Sequence, residues 1–370
     1  MTRGPYPGTQ GRLGHRETAV MLTIVISARI FLGLLNILAE IGGSAGWLVI
    51  TVAFFGAMVG YLILDRLLSR FPGSDLIGIA EEVLGWFTPF FGLVFFLFFL
   101  AVLAAIARQF SEAFIVGILP RTPIGVITGL LLVLLVFAGY MGLETISRLA
   151  ILYAPYLLLF LAVIFFMVLP NANPLYLTPI FGYGLGRIVP QGLLRSSIFA
   201  EIVLLGFFAP ALREEKHRRG VGLWALVASY LLFLASSLVF TAVFDLPGAA
   251  EAFFPVYQLA RLISLAEFFQ RAEAIFIFLW FFSAVIELAT IFYAAVYVLC
   301  RTFYLSSHRP LLFPLAVIVY SGSLIPDSFA DAFRMDSDWL RVYGWIPAFL
   351  LPALLLCLAI LRGKRGDAAR

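Results

Sequence analysis

Apolar runs longer than the roughly 18 residues needed to cross a ~30 Å hydrocarbon core recur from one end of this chain to the other. A soluble fold has too little interior to hide them: the 370 residues are 62% hydrophobic and 12% charged, with a mean hydropathy of +1.03. The runs lack the alternation of an outer-membrane barrel. Lipid offers nothing to satisfy free backbone groups, so helices are the remaining solution. The expected class is an all-α integral membrane protein, one polytopic domain over residues 1–370.

Ten spans are expected, at roughly 18–38, 45–64, 89–119, 123–139, 145–169, 188–209, 220–243, 271–300, 310–325 and 341–361. They divide the chain into a tail (1–17), a first five-helix group (18–169), an outer loop (170–187) rich in Asn, Pro and Gly, a second five-helix group (188–361) and a closing tail (362–370). An odd number of helices per half makes the halves opposite in orientation, the arithmetic of a 5+5 inverted repeat. That division rests on helix count, because no internal sequence repeat is evident.

Ten crossings put both termini on one side. Sixteen of the 25 Lys and Arg residues fall on that side, six on the other and three inside, so the positive-inside rule places both termini in the cytoplasm. The net charge of +4 therefore follows topology, and no nucleic-acid partner is expected. The N-terminal tail is not read as a signal peptide, because the first apolar run is too long and no small-residue cleavage site follows it. Two shorter segments have helical periodicity: Leu76, Ile77, Ala80, Val83, Leu84 and Phe87 share a face after Phe71-Pro72-Gly73, and Phe254 to Leu265 is less regular. Both read as interfacial helices on the bundle.

A charge at bilayer depth costs at least about 2.5–3.5 kcal/mol, so each polar residue inside a span asks for a partner or a water-filled cavity. Four places stand out. Ser27, Arg29, Gly33 and Asn36 interrupt the first span, which is either a broken helix with free backbone groups or an intact one whose Arg29 is paired. Arg195, Ser196, Ser197 and Glu201 occupy the matching part of the sixth span, where the lack of an intervening Gly or Pro makes the signal for unwinding weaker. In the third span Arg108, Gln109, Ser111 and Glu112 offer an i,i+4 ion pair, Arg108 with Glu112, as the alternative to a cavity lining. In the eighth span Glu273, Trp280 and Glu287 recur by sevens along one stripe, and the deeper Glu287 is expected to pair with Arg29 or Arg108 in a gating role.

Other chemistries find little support. His15, His217 and His308 all lie outside the spans, so no intramembrane metal site is expected, and Cys300 and Cys357 suggest no disulfide. Phosphate-binding loops, serine-nucleophile and zinc-protease motifs are missing. Neither enzymatic activity nor a cofactor is expected.

Phe71-Pro72-Gly73 is followed by Leu76-Ile77 and Ala80-Glu81-Glu82-Val83-Leu84-Gly85, then by Arg108-Gln109-Phe110-Ser111-Glu112 and Pro120-Arg121-Thr122-Pro123. Gly142-Leu143-Glu144, Ser147-Arg148, Glu201-Ile202-Val203, Phe254-Pro255 and Leu259 to Ser264 come after. Each is weak alone, but in this order and spacing the chain resembles the permease-like B subunit of spore nutrient-germinant receptors, a branch of the amino acid, polyamine and organocation transporter superfamily. The resemblance implies a LeuT-like bundle with discontinuous first and sixth helices. It also implies a site for a small germinant, often an amino acid, and A-type and lipoprotein C-type partner subunits in the inner spore membrane. Carried to this chain, the implied substrate-binding residues are Ser27, Arg29, Gly33, Asn36, Ser196, Ser197 and Glu201, with Glu112 beside them and Arg108 and Glu287 as gating or ion-pair residues. Where the family pattern has a Pro-Arg pair, this chain has Leu35-Asn36. Two rival functions stay open: a proton-coupled amino-acid transporter, and a scaffold or ion conduit that binds no nutrient.

Overall fold

The structure, a computed structural model, describes residues 13–251, 254–263 and 272–366; Leu265 and the side chain of Glu273 lie outside the described residues. It is helical throughout, with no strand among the described residues. The first span starts as α1 (His15–Ser27), tightens into a 3-10 turn over Ala28–Phe31 and breaks at Leu32 (φ −91°, ψ −114°) and Gly33 (φ −122°, ψ 15°). It resumes as α2 (Leu34–Gly42), whose first residue follows an N-cap glycine with no side chain to satisfy the open amides. Gly43, at φ 62°, ends α2 in a backbone region that costs glycine little, and the chain turns into α3 (Gly46–Arg70).

The first expected interfacial segment is α4 (Leu76–Leu84), started by the Asp75 carboxylate accepting from the Gly78 amide at 2.7 Å. Next come α5 (Thr88–Gly117), α6 (Ile124–Met141) and α7 (Leu143–Val168), with Gly142 at φ 88° making the sharp corner between the last two. The outer loop folds over the far end of α2, where Ser44 donates to the Pro179 carbonyl at 2.6 Å and the Tyr183 amide donates to the Gly42 carbonyl at 3.3 Å. The sixth span comprises α8 (Leu185–Leu194), a 3-10 stretch over Arg195–Val203 kinked at Phe199, and α9 (Leu204–Phe208).

The remainder comprises α10 (Arg218–Val243), the short α11 (Leu246–Glu251) and α12 (Pro255–Arg261), and the long α13 (Ala272–Thr302). Then follow α14 (Arg309–Ser323), α15 (Phe329–Arg334), α16 (Arg341–Tyr343) and α17 (Leu351–Leu361). The last three are one continuous climb, joined by π-helical turns at Met335–Leu340 and Ile346–Leu350.

Eight helical stretches among the described residues are long and apolar enough to cross a membrane. Of the ten expected spans, the first yields α1 with only 13 residues and the ninth yields α14 with 15, both below the 18 that such a stretch requires. The last span begins earlier than its hydropathy suggests, at Phe329 and not at 341, because Ser328 caps it by accepting from the Asp331 amide at 3.2 Å. Arg341, counted by sequence among the outer-side charges, is consequently buried in the bundle.

Burial follows from this arrangement. Met21, Leu22, Val25 and Ile26 of α1, with Leu288, Ala289, Ile291 and Phe292 of α13, are buried and form the centre of the bundle. On the perimeter the pattern inverts: Leu152, Leu159 and Phe166 form an exposed stripe along α7, and Leu130, Val133 and Phe137 do the same on α6. Such faces suit hydrocarbon and would be a liability in water. The Leu13 amide donates to the Ala211 carbonyl at 2.9 Å, just past α9, and the Gly366 amide donates to the Arg70 carbonyl at 3.1 Å, at the end of α3.

Candidate functional site

The two interrupted helices face each other. Arg29, in the 3-10 turn before the break, donates to Glu201 in the 3-10 stretch between α8 and α9. Its guanidinium also lies 3.6 Å from Glu287 of α13 and 3.5 Å from Asp336 in the π-helical turn after α15. Arg341 closes the group, donating to Glu201 at 3.1 Å, to Asp336 at 3.0 Å and to the Ser197 carbonyl at 3.0 Å, while the Ser197 hydroxyl donates back to the Arg341 carbonyl. Two guanidiniums and three carboxylates from four spans are thus gathered in the interior, all buried. Low-dielectric surroundings make each attraction strong, and make the loss of any member costly.

Beside this cluster the helix break borders a narrow, partly open cleft. Its charged walls are Arg29, Arg195, Asp336 and Arg341. Its apolar walls include Leu32, Leu34, Ile37, Ile198 and Phe333. Gly33 lies close against Phe333: a Cβ built there would stand 1.9 Å from the Phe333 ring.

Of the residues singled out in the sequence, Arg29, Ser197, Glu201 and Glu287 come together here, with Gly33 at the pocket wall. Ser27 is instead bonded to its own helix, donating to the Thr23 carbonyl at 2.6 Å, and Ser196 packs against Gly56 of α3. Asn36 is buried one turn into α2. Arg108 and Glu112 form their own pair at 2.8 Å, and Arg108 also donates to the Asp327 carbonyl at 3.0 Å. That pair ties α5 to the approach of α15 and does not join the central cluster. Asp336 and Arg341 were not legible as site residues, since the stretch from Asp327 to Arg341 reads as a charged outer loop. The capping pattern Ser328-x-x-Asp331 was the available signal that a helix starts there.

A second buried network lies where the start of α4 meets α13. Arg301 of α13 donates to both oxygens of Asp75, at 2.9 and 3.2 Å, and the Tyr297 hydroxyl donates to the same carboxylate at 2.6 Å. The capping residue of α4 thereby anchors that helix to the bundle.

A helical membrane bundle whose first helix is broken opposite an irregular sixth, with buried charge at the junction, defines the class: a membrane protein built on a small-molecule transporter fold. The chain belongs to the spore germination permease family, whose model, described as "Spore germination protein", matches residues 12–331. Among curated proteins it is similar to spore germination protein KB of Bacillus subtilis (strain 168), 22% identical over 368 residues that cover 98% of each chain. It is also similar to spore germination protein YndE of the same organism, 22% identical over 357 residues, 95% of this chain and 97% of that one. Among solved structures it resembles MhsT in complex with L-phenylalanine, with TM-score 0.68, 16% identity and coverage of 94% of this chain and 89% of that one. It resembles Mhp1, a nucleobase-cation-symport-1 family transporter, with TM-score 0.63, 14% identity and coverage of 98% and 93%. The LeuT-like fold and the family expected from the sequence are both borne out.

Proposed function

We propose that this chain is the permease-like subunit of a spore germinant receptor, binding a small nutrient, an amino acid, at the break between α1 and α2. The observation that carries the reading is the uncapped start of α2 opening into a pocket beside a buried charge cluster that links four spans. Amides at a helix start attract an anionic group, which suits the carboxylate of an amino acid. The likeness to a transporter bound to L-phenylalanine agrees in ligand class. Because Arg29, Glu201, Glu287 and the pair of Asp336 and Arg341 belong to four different spans, an occupant that favours one arrangement of the cluster shifts the bundle as a whole, by at most its differential affinity for the two states. A- and C-type subunits would receive that shift in the inner spore membrane. The proposal includes a ten-span, 5+5 topology with both termini in the cytoplasm.

A carrier is the second reading, favoured by the same transporter fold. Binding and counterflow in proteoliposomes separate the two: saturable binding of an amino acid without exchange supports the receptor subunit, and robust exchange of one amino acid overturns it. Absence of binding by any amino acid removes both and leaves the scaffold.

A further inference from the structure

Arg195, half-buried, stands apart from the arginines of the interior. Arg29, Arg108, Arg218, Arg301 and Arg341 each have a carboxylate within 4 Å, whereas Arg195 has none that close among the described residues, its acidic neighbours Asp338 and Glu40 standing farther off. Its hydrogen-bond partner is the side-chain oxygen of Gln191, one turn earlier at 2.7 Å, and its Nε is buried without an acceptor. It lines the pocket at the helix break, as do Gly33 and Leu34 at the open start of α2.

The walls of that pocket carry unequal charge. Three guanidiniums, Arg29, Arg195 and Arg341, face a single acid, Asp336. Glu201 and Glu287, which balance Arg29, are not among the lining residues. Nor is Asp336 free to receive an ammonium group: one oxygen accepts from Arg341 at 3.0 Å and the other from Arg29 at 3.5 Å. Arg29 Nε and Arg341 Nη2 are buried with no hydrogen-bond partner, and both belong to pocket-lining side chains. On the pocket-lining side chains the orphaned atoms are donors; the orphaned acceptors, Glu201 Oε2 and Glu287 Oε1, belong to side chains that do not line it.

We infer that Arg195 is the residue that selects the occupant, pairing with its carboxylate, and that the occupant's amino group is dispensable. The ligand class is then a small monocarboxylate whose apolar body rests on Leu34, Ile37, Ile198 and Phe333, whether or not it carries an amine. The inference rests on nutrient binding at this site, as proposed above, and narrows what the site reads.

The test uses the full chain in nanodiscs and four probes on each of the alanine, valine, leucine and phenylalanine skeletons: the L-amino acid, its methyl ester, the acid lacking the amine, and the amine lacking the carboxylate. Affinities are measured calorimetrically. The expected result is that for the preferred skeleton the amino acid and the deaminated acid bind within about threefold of each other, with ester and amine at least about tenfold weaker. Arg195→Gln erases the preference for acid over ester, and Arg195→Lys retains part of it, which also guards against misfolding of the glutamine variant. Equal binding of acid and ester in the wild-type protein, loss of binding on removing the amine, or an unchanged preference in Arg195→Gln overturns the inference while leaving nutrient binding intact. If none of the probes binds the wild-type chain, nutrient binding at this site falls, and the inference with it.

Discussion

Arg29 and Glu201 meet directly across the two irregular helices, one from the turn before the first break and the other from the 3-10 stretch of the sixth span. Neither helix could bring its charge into the interior alone. Each supplies the other's counter-ion, and Arg341, Asp336 and Glu287 extend the pair into a cluster holding one more acid than base.

That imbalance ranks the consequences of substitution. Arg29→Gln leaves three acids around one guanidinium, and its expected cost is that of an uncompensated buried charge, about 3–5 kcal/mol. Glu201→Gln leaves two of each sign and is expected to cost clearly less. Apparent melting temperatures of the purified variants, read from the fraction still monodisperse after heating, check the order. Equal losses would show that the charge count does not govern the cluster.

Gly33 and Phe333 both line the pocket and lie in close contact. An added methyl group at Gly33 collides with the ring, so Gly33→Ala is expected to destabilise the protein by about 1–3 kcal/mol and to weaken nutrient binding. Phe333→Leu in the same chain makes room, and the double variant should recover most of the stability. A double-mutant cycle in melting temperature measures this, and strictly additive losses would refute the contact.

The break in the first helix was legible because Gly33 stands among polar residues in an apolar run, and polar residues at that depth are too costly to be left unpaired. In the sixth span only the polar side chains showed; the loss of α geometry over Arg195–Val203 has no Gly or Pro to mark it and comes from tertiary bonds such as Ser197 with Arg341. Asp336 and Arg341 escaped notice for the opposite reason. Hydropathy treats a charged stretch as exposed, while charges of both signs from four spans neutralise one another only after folding. They are also five residues apart, a spacing that a π-helical turn places on one side and an α-helix does not. Glu112 shows the converse: its i,i+4 partner Arg108 was plain, but nothing in the sequence said how far that pair stands from Arg29.

Asp75 performs two separable tasks, capping α4 and pairing with Arg301. Asparagine can cap a helix but cannot pair, so Asp75→Asn is expected to lose the ion pair alone, about 3–5 kcal/mol. Asp75→Ala loses the cap as well, roughly a further 1 kcal/mol, and frees α4. Limited proteolysis across residues 71–88 should show faster cleavage of the alanine variant than of the asparagine variant. Identical cleavage would mean that the cap contributes nothing beyond the charge.

His308 gives the start of α14 a predictable pH response. Burial at the start of α14, and secondarily the charge of Arg309, lower its pKa below the usual histidine value, and the Tyr293 ring lies 5.8 Å away. A lowered pKa means that the unfolded chain takes up the proton first, at pH about 6.5, while the folded chain still holds the ring neutral. Stability from this group is therefore fully present above that pH. It is lost as pH falls from there toward the lower folded-state value, below which the loss is constant. Melting temperatures of wild type and His308→Gln, compared from pH 7.5 down to 5.5, should converge or cross on acidification, because only the wild type carries this loss. Curves that stay parallel throughout would show that His308 is as easily protonated in the folded protein as in the unfolded chain.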